Sequence, residues 1–182
     1  MSIPSLDVRP QAEEYARYQE AYVARVPAGK FLEQFAFGAE ETLSLVLGPL
    51  YQHGDLAYAA GKWSVKQVVG HISDTERVML YRVLRFARGD ATDLPGFDEN
   101  LFAAQGGFGM RTIDDLAHEF RTVRTASISF FQSLPPGTLL RSGRANGHLL
   151  TVRGLAYVTA GHGLHHTAIL QERYIPAIPR QR

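Results

Sequence analysis

Gly161-His162-Gly163-Leu164-His165-His166 lies inside a pattern that predicts a long amphipathic helix, Val152 to about Tyr174. In an α-helix, residues four positions apart share one face, with side chains about 5–6 Å apart. Two imidazoles at that separation can bind one metal ion through metal–nitrogen bonds of about 2.0–2.1 Å. The spacing of His162 and His166 therefore indicates a metal site on this helix.

A third histidine, His71, lies in another long helix that the sequence predicts. Ser64 followed by Gln67 is a capping-box pattern that marks the start of this helix, and Gly89 is a typical residue at a helix end. His71 lies at the edge of the apolar stripe, away from the charged side that carries Arg82. Three imidazoles with an open fourth position would form a catalytic type of metal site.

Two alternatives remain open for the histidines. Buried imidazoles need a partner for each nitrogen, and backbone groups or water could serve in place of a metal. His165 is also a helical neighbour of His162, at a spacing of three, so His165 could replace His166 as the ligand. We favour His166 because it continues the line of apolar residues, and we place His165 in support of the site or at the rim of a pocket.

The composition limits the classes of function. The 182 residues fit a single domain, residues 1–182, and the net charge of +1 gives no sign of nucleic-acid binding. The chain has no cysteine, so a transition metal must take nitrogen or oxygen ligands. Residues 1–9 lack the apolar run of a signal peptide, and no later segment is apolar enough to span a membrane, so we expect a cytoplasmic protein.

Four long helical patterns predict an all-α protein, a four-helix bundle with long connections and a short N-terminal helical lead-in. Its topology need not be simple up-and-down. Asn146-Gly147 suits a tight turn, which predicts a small hairpin within residues 139–150. The other segments are the lead-in at 10–26, the helices at 30–47, 64–89 and 112–134, and a long connection at 90–111.

Three segments match a known pattern. The segment from Trp63-Ser64 to His71-Ile72-Ser73-Asp74-Thr75-Glu76 resembles the Trp-Ser…His-x-x-Asp-x-Glu segment of the DinB-like, or YfiT-like, superfamily. His162-Gly163-Leu164-His165-His166 is similar to the closing His-x-x-His-His motif of that superfamily, and Leu94-Pro95-Gly96-Phe97-Asp98 fits as well. The two histidine motifs lie about ninety residues apart and together are fairly specific, and the resemblance spans nearly the whole chain.

The resemblance implies a four-helix bundle with one divalent metal, nickel or zinc, bound by His71, His162 and His166, and it implies a homodimer. Some relatives are transferases that conjugate a low-molecular-weight thiol such as bacillithiol, mycothiol or glutathione, and others isomerise maleylpyruvate with a thiol cofactor. Many relatives carry the description of metal-dependent hydrolases on the motif alone. The superfamily name refers to DNA-damage induction and does not imply DNA binding.

Our leading hypothesis is a metal-dependent transferase that brings a thiol to a small electrophile. Arg82, Arg144 or Arg153 could pair with carboxylates of the thiol, although for any one of them alone we favour a solvated surface charge. A solvated helix face is also the simpler interpretation of Asp74 and Glu76. The candidates for the surroundings of the metal are His165, Asp74, Thr75, Thr159, Arg82 and Arg153.

Two other hypotheses use the same residues. A hydrolase would activate a water at the metal and would need a general base, which the sequence does not identify. A non-enzymatic protein would bind a metal or small ligand without turnover. Four aromatic residues could line a pocket or pack in the core, and the sequence leaves both interpretations open: Tyr15, Tyr18, Tyr22 and Phe97.

Overall fold

A computed structural model of the protein describes residues 5–179. Both ends of the predicted domain, residues 1–182, lie outside the described residues. The same is true of part of the N-terminal segment, residues 1–9, in which we looked for a signal peptide. Four long helices dominate this range and form a four-helix bundle, which confirms the predicted fold class. They are α2 (Phe31–Leu47), α3 (Val65–Ala87), α5 (Ile113–Ser133) and α6 (Val152–Ile169).

The order of the helices around the bundle is not simple up-and-down. Helices α2 and α3 each pack against both α5 and α6. Consecutive helices α2 and α3 therefore occupy opposite corners of the bundle, and α5 and α6 occupy the other two. The long connections predicted from the sequence are the consequence, because a chain that crosses a bundle end needs more residues than a tight turn.

The N-terminal lead-in covers the outer side of α6. It contains short 3₁₀ turns, Ala12–Glu14 and Arg17–Gln19, followed by α1 (Glu20–Arg25), which packs against α6. At Gly161, a Cβ atom would lie 1.9 Å from the carbonyl oxygen of Tyr22, so only glycine permits this approach. As a result α6 is buried on all sides between 152 and 163, and our prediction of an amphipathic helix there was wrong.

Side-chain caps define the starts of α3, α5 and α6, as the sequence predicts. The Ser64 hydroxyl accepts from the Gln67 N–H at 3.2 Å, and the Gln67 side chain accepts from the Ser64 N–H at 2.9 Å. Thr112 and Thr151 cap α5 and α6 in the same way, by accepting backbone N–H groups three residues ahead. These contacts are local, which is why the sequence predicts them well.

The long connection contains a helix that the periodicity did not reveal. Helix α4 (Glu99–Gln105) begins at Asp98, whose side chain accepts from two backbone N–H groups, and a 3₁₀ turn (Phe108–Met110) follows. Helix α4 is two turns long, too short for a clear apolar stripe. It packs on α3.

The predicted hairpin is present and is joined to the long connection. Strands β1 (Ser142–Ala145) and β2 (His148–Thr151) pair in antiparallel register through the turn at Asn146 and Gly147, both with positive φ. The Leu94 N–H donates to the carbonyl of Arg144, and the Asn146 N–H donates to the Leu94 carbonyl, both at 2.9 Å. The hairpin therefore holds the segment after Leu94 against the bundle.

The last helix changes character after Ile169. A π-helical turn (Leu170–Tyr174) and the short α7 (Ile175–Ala177) replace the continuous α-helix that we predicted to Tyr174. The wider turn accompanies a hydrogen bond of 2.6 Å from the Tyr174 hydroxyl to the carbonyl of Trp63, which ties this end to the start of α3. Among residues 5–179, no helix is both long and apolar enough to cross a membrane.

Two apolar clusters form the core. One contains Met79 and the residues after it on α3 together with the first half of α6, and the other contains the start of α3 and Leu170. His71, His162 and His166 lie at the boundary between these clusters. At this boundary, buried polar side chains take the place of the aliphatic side chains that fill the two clusters.

Candidate metal centre

His71, His162 and His166 come together between α3 and α6. One ring nitrogen from each lies within 4.8 Å of the others, and all three residues are buried. The Nε2 atoms of His71 and His162 are 3.0 Å apart. The spacing of four residues on α6 and the packing of α6 against α3 produce this arrangement.

Aromatic side chains pack against the three imidazoles and restrict their rotation. The Trp63 ring lies 4.6 Å from that of His71, centre to centre, and is nearly parallel to the His166 ring at 6.4 Å. Tyr22 packs edge-on to His162 at 5.6 Å. The rings thus come from four segments: the lead-in, the approach to α3, α3 itself, and α6.

The hydrogen bonds of the cluster leave imidazole nitrogens without adequate partners. When two Nε2 atoms face each other, only one can carry the proton of a hydrogen bond. The Thr75 hydroxyl lies 3.5 Å from His71 Nδ1, at the limit of a hydrogen bond. Within the described residues, His166 Nδ1 is buried and has no partner at all.

A metal ion fits this donor set. Tetrahedral bonds of about 2.0–2.1 Å place two ligand nitrogens about 3.3 Å apart. The distances in the cluster, 3.0 Å for one pair and at most 4.8 Å for all, need only small side-chain movements to reach that value. Thr75 stands where it could accept the remaining N–H of His71, a role that ligand histidines commonly require.

The protein environment keeps the three imidazoles neutral. Burial, together with the nearby His165, lowers the pKa of His71 to about 4 and that of His166, with a further contribution from His71, to about 3. Burial also places the pKa of His162 well below its usual value. Neutral imidazoles keep a free lone pair, which is the form that binds a metal.

A cavity of about 420 Å³ opens beside the histidines. Aromatic and polar side chains line it, which is typical of a small-molecule site. Its walls include the three histidines and Tyr18, Gln19, Tyr22, Trp63, Thr75, Met79, Arg82, Phe97, Glu99, Asn146, Val158 and His165. A second cavity of about 220 Å³ shares Trp63 and His166 with the first, so these two residues lie between the two spaces.

Several predicted residues line the main cavity. His165 is half-buried and packs edge-on to Tyr22 at 5.3 Å, beside the cluster and outside the group of three. Thr75 and Arg82 also face the cavity from α3. Of the aromatic residues left open, Tyr18, Tyr22 and Phe97 line this space, whereas Tyr15 packs against an apolar cluster.

Other predicted residues lie away from the walls of this cavity. Asp74 is half-buried and accepts a hydrogen bond from the Arg77 guanidinium at 3.3 Å, and the Thr159 hydroxyl donates to the carbonyl of Leu155 at 2.7 Å. The Arg153 guanidinium donates to Glu14 of the lead-in, and Arg144 is exposed on the hairpin.

We had expected two charged residues of α3 to lie on a solvated face, but both are buried. Glu76 is 2% exposed and accepts three hydrogen bonds of 2.9–3.1 Å from Arg124 of α5. Arg82 is 4% exposed and faces the same cavity as His71. Both follow from the packing of other segments on α3, which helical periodicity alone does not describe.

Sequence reasoning did not identify several residues of the cavity wall. Gln19, Met79 and Asn146 reach it from the lead-in, from α3 and from the hairpin turn. Trp63 carried one signal, since it directly precedes the Ser64 cap and is the only tryptophan of the chain. The other three carried none, because their segments meet only in the folded protein.

By fold and site together, this is a four-helix-bundle protein with three buried histidines beside an open cavity, a group that could hold a metal ion. The chain belongs to the DinB superfamily, whose family model matches residues 9–170. No curated protein matches the chain in sequence.

Among solved structures, the fold is similar to that of YfiT from Bacillus subtilis. The TM-score is 0.61 at 16% sequence identity, and the match covers 77% of this chain and 85% of that chain. YfiT is described as a probable metal-dependent hydrolase with an unusual four-helix bundle topology. At this level of identity the likeness shows the shared fold.

Proposed function

We propose that His71, His162 and His166 bind one divalent metal, zinc or nickel, and that the protein is a metal-dependent enzyme acting on a small molecule. One observation carries the proposal: three buried, neutral imidazoles converge at the wall of a cavity of about 420 Å³. A purely structural metal would take four protein ligands in a closed site. Here three histidines leave room for a further group from the cavity.

When bound, such a metal lowers the pKa of a thiol or a water that reaches it and so supplies a nucleophile near neutral pH. The chain supplies the surroundings. Trp63 and Tyr22 pack against the imidazoles, and the Thr75 hydroxyl lies 3.5 Å from His71 Nδ1, where it could accept the N–H of that nitrogen. The apolar clusters on both sides exclude water from the back of the site.

A thiol transferase is the reaction class that we favour. Hydrolysis requires a base to take a proton from water, and buried carboxylates commonly have that role. Among residues 5–179, the walls of the main cavity carry a single carboxylate, that of the exposed Glu99. A thiol needs less help, because it is already a good nucleophile once it loses its proton.

A hydrolase is the second candidate, and His165 is the observation in its favour. This residue lines the cavity next to the cluster, and burial, with a contribution from Arg25, lowers its pKa. A neutral imidazole at that position could take a proton from water. The description of YfiT as a probable metal-dependent hydrolase agrees with this alternative.

Metal content is the first measurement. We expect about one equivalent of zinc or nickel in the freshly purified protein, by elemental mass spectrometry, and its loss in a His162→Ala, His166→Ala double variant. His118→Ala is the control, because His118 is exposed on α5 and should leave the content unchanged. Parent protein that neither contains metal nor binds added zinc or nickel would refute the proposal.

Turnover with and without a thiol separates the two reaction classes. The metal-loaded protein should consume a thiol such as glutathione in the presence of an alkylating electrophile, faster than the double variant does. Turnover of ester or amide substrates in the absence of any thiol, retained in the parent and lost in His165→Ala, would favour the hydrolase instead.

A further inference from the structure

Arg82 places a positive charge in the wall of the main cavity. The residue is 4% exposed, although an arginine normally keeps its guanidinium in water. The Nη2 atom donates to the carbonyl of Pro95 at 3.0 Å, and Nη1 donates weakly to the sulfur of Met79 at 3.6 Å. The Phe97 ring lies 5.9 Å from the guanidinium carbon.

The described residues do not balance the charge of Arg82. No carboxylate of residues 5–179 lies within ion-pair distance of it, whereas Arg124 and Arg153, the other two buried arginines of this range, each have a glutamate partner. A guanidinium has five N–H donors, and within residues 5–179 only two of them have protein acceptors. A buried charge without an opposite charge is costly unless a ligand supplies one.

The rest of the wall favours an anion as well. The imidazoles that line the cavity are neutral. Among the described residues the cavity wall has one carboxylate, that of Glu99, and this residue is exposed to solvent. A divalent metal at the histidines would add further positive charge. Asn146 on the hairpin turn supplies an uncharged polar group.

The positions of His71 and Arg82 on one helix define the length of the ligand. The two residues are eleven positions apart, close to three full turns, so both face the same side of α3. At a rise of about 1.5 Å per residue, their Cα atoms lie roughly 16 Å apart along the helix. Both side chains reach into the cavity, so the ligand spans less than this distance.

We propose that Arg82 binds the anionic end of the substrate, a carboxylate remote from the atom that reacts at the histidines. The guanidinium fits a carboxylate with two parallel hydrogen bonds, which also fixes the orientation of the ligand. The inference rests on the proposed function, since it takes this cavity to be the substrate site. It adds the class of substrate, an elongated molecule with an anionic end, and the residue that selects it.

Trp63 provides a direct readout of binding. It lines the cavity and is the only tryptophan of the chain, so its fluorescence reports a ligand there without any turnover. The probes are mercaptohexanoate and mercaptohexanol, which share chain length and thiol and differ in the anionic end. Both are titrated into metal-free and zinc-loaded parent protein, Arg82→Gln, Arg82→Lys and Arg121→Gln. Arg121 is exposed on α5 and controls for the loss of one positive charge.

The parent and Arg121→Gln should bind the acid roughly 10- to 100-fold more tightly than the alcohol, as expected for a charge-assisted hydrogen-bond pair. Arg82→Gln should lose this preference and bind the alcohol as before, and Arg82→Lys should keep part of it. The inference is overturned if Arg82→Gln keeps the preference, if acid and alcohol weaken equally, or if the parent does not bind the acid at millimolar concentration.

The metal-free arm separates this inference from the proposed function. If zinc changes the affinity of neither thiol, the sulfur does not reach the metal. That result would contradict the thiol mechanism. The preference for the acid and its loss in Arg82→Gln would still support the anion site. Tighter binding of both thiols to the zinc form without any preference would support the thiol mechanism and overturn the role of Arg82.

Discussion

Arg82 and Arg124 are equally buried, each 4% exposed, yet they lie on two different sides of the bundle. Arg124 lies on the packed side, between α5, α3 and α2. It donates to both carboxylate oxygens of Glu76 and to the carbonyl of Phe35, and its guanidinium carbon lies 3.8 Å from the centre of the Phe35 ring. Arg82 lies on the cavity side, with Pro95 and Met79 as its hydrogen-bond partners.

The two arginines show that a buried charge can stabilise the fold or remain available to bind a ligand. A buried charge that the fold neutralises joins helices together, because removal of either partner leaves the other unpaired in the core. A buried charge that faces an open cavity contributes less to folding and remains available to a ligand. The same contrast applies to α6, where Gly163 faces the packed side and Gly161 lies under the lead-in that shapes the cavity.

The largest expected effect is on the packed side. Arg124→Met should lower the free energy of unfolding by about 3–5 kcal/mol, because it leaves the buried Glu76 carboxylate without its partner. Arg82→Met should change it by less than about 1 kcal/mol, because the loss of two hydrogen bonds is offset by the removal of a buried charge that has no opposite charge. Urea unfolding of both variants measures the difference, with the slope of the transition checked for equality.

A double variant, Arg124→Met with Glu76→Gln, tests the cause. It should recover part of the loss, because no unpaired carboxylate remains in the core. Equal destabilisation by Arg82→Met and Arg124→Met would contradict the distinction between the two sides.

The next effect concerns the two glycines of α6. Gly161→Ala places a Cβ 1.9 Å from the backbone oxygen of Tyr22, so the lead-in must move. We expect a loss of about 1–3 kcal/mol, the usual cost of overpacking, with weaker metal retention as Tyr22 leaves His162. In Gly163→Ala the nearest atom is the end of the Arg124 side chain at 3.3 Å, and the gain in helix propensity offsets the contact.

Thermal unfolding together with the metal content of both variants measures this pair. Gly163→Ala should remain within about 1 kcal/mol of the parent and retain its metal. Unchanged metal content in Gly161→Ala would show that the lead-in does not support the histidines.

The smallest effect is a pH dependence at the anchor of the lead-in. Burial raises the pKa of Glu14, but hydrogen bonds from Arg153, the Gln11 N–H and Thr151 outweigh it, and the pKa lies below its usual 4.5. The carboxylate therefore stabilises the fold fully above pH 4.5, and this contribution falls as the pH drops through the lower, folded-state pKa.

The melting temperature of Glu14→Gln relative to the parent, from pH 7 to acid, tests the sign. The variant should be less stable at neutral pH, and the gap should narrow below about pH 4.5. A gap that widens on acidification would contradict the assigned direction. Thr159→Val serves as a control with no change in charge.

Local features of the structure could be predicted from the sequence. Ser64 and Gln67 cap α3, Thr112 caps α5, and Asn146-Gly147 forms the hairpin turn, each through contacts within a few residues. The spacing of His162 and His166 on α6 is also a local feature, set by four residues of helix. The short helix α4 escaped prediction because two turns do not establish a period.

The local pattern of residues was enough to predict the four long helices, the capped starts of α3, α5 and α6, and the pairing of His162 with His166, because helical spacing and capping act over three or four residues. The packing of α3 against α6 brings His71 to this pair, and contacts between distant segments set which side chains surround the three imidazoles. Tyr22 reaches His162 because Gly161 lets the lead-in approach α6, and Pro95 holds Arg82 because the hairpin ties its segment to the bundle. Whether a charged residue is solvated, paired or left facing a cavity depends on segments distant in the chain, and no local pattern contains that information.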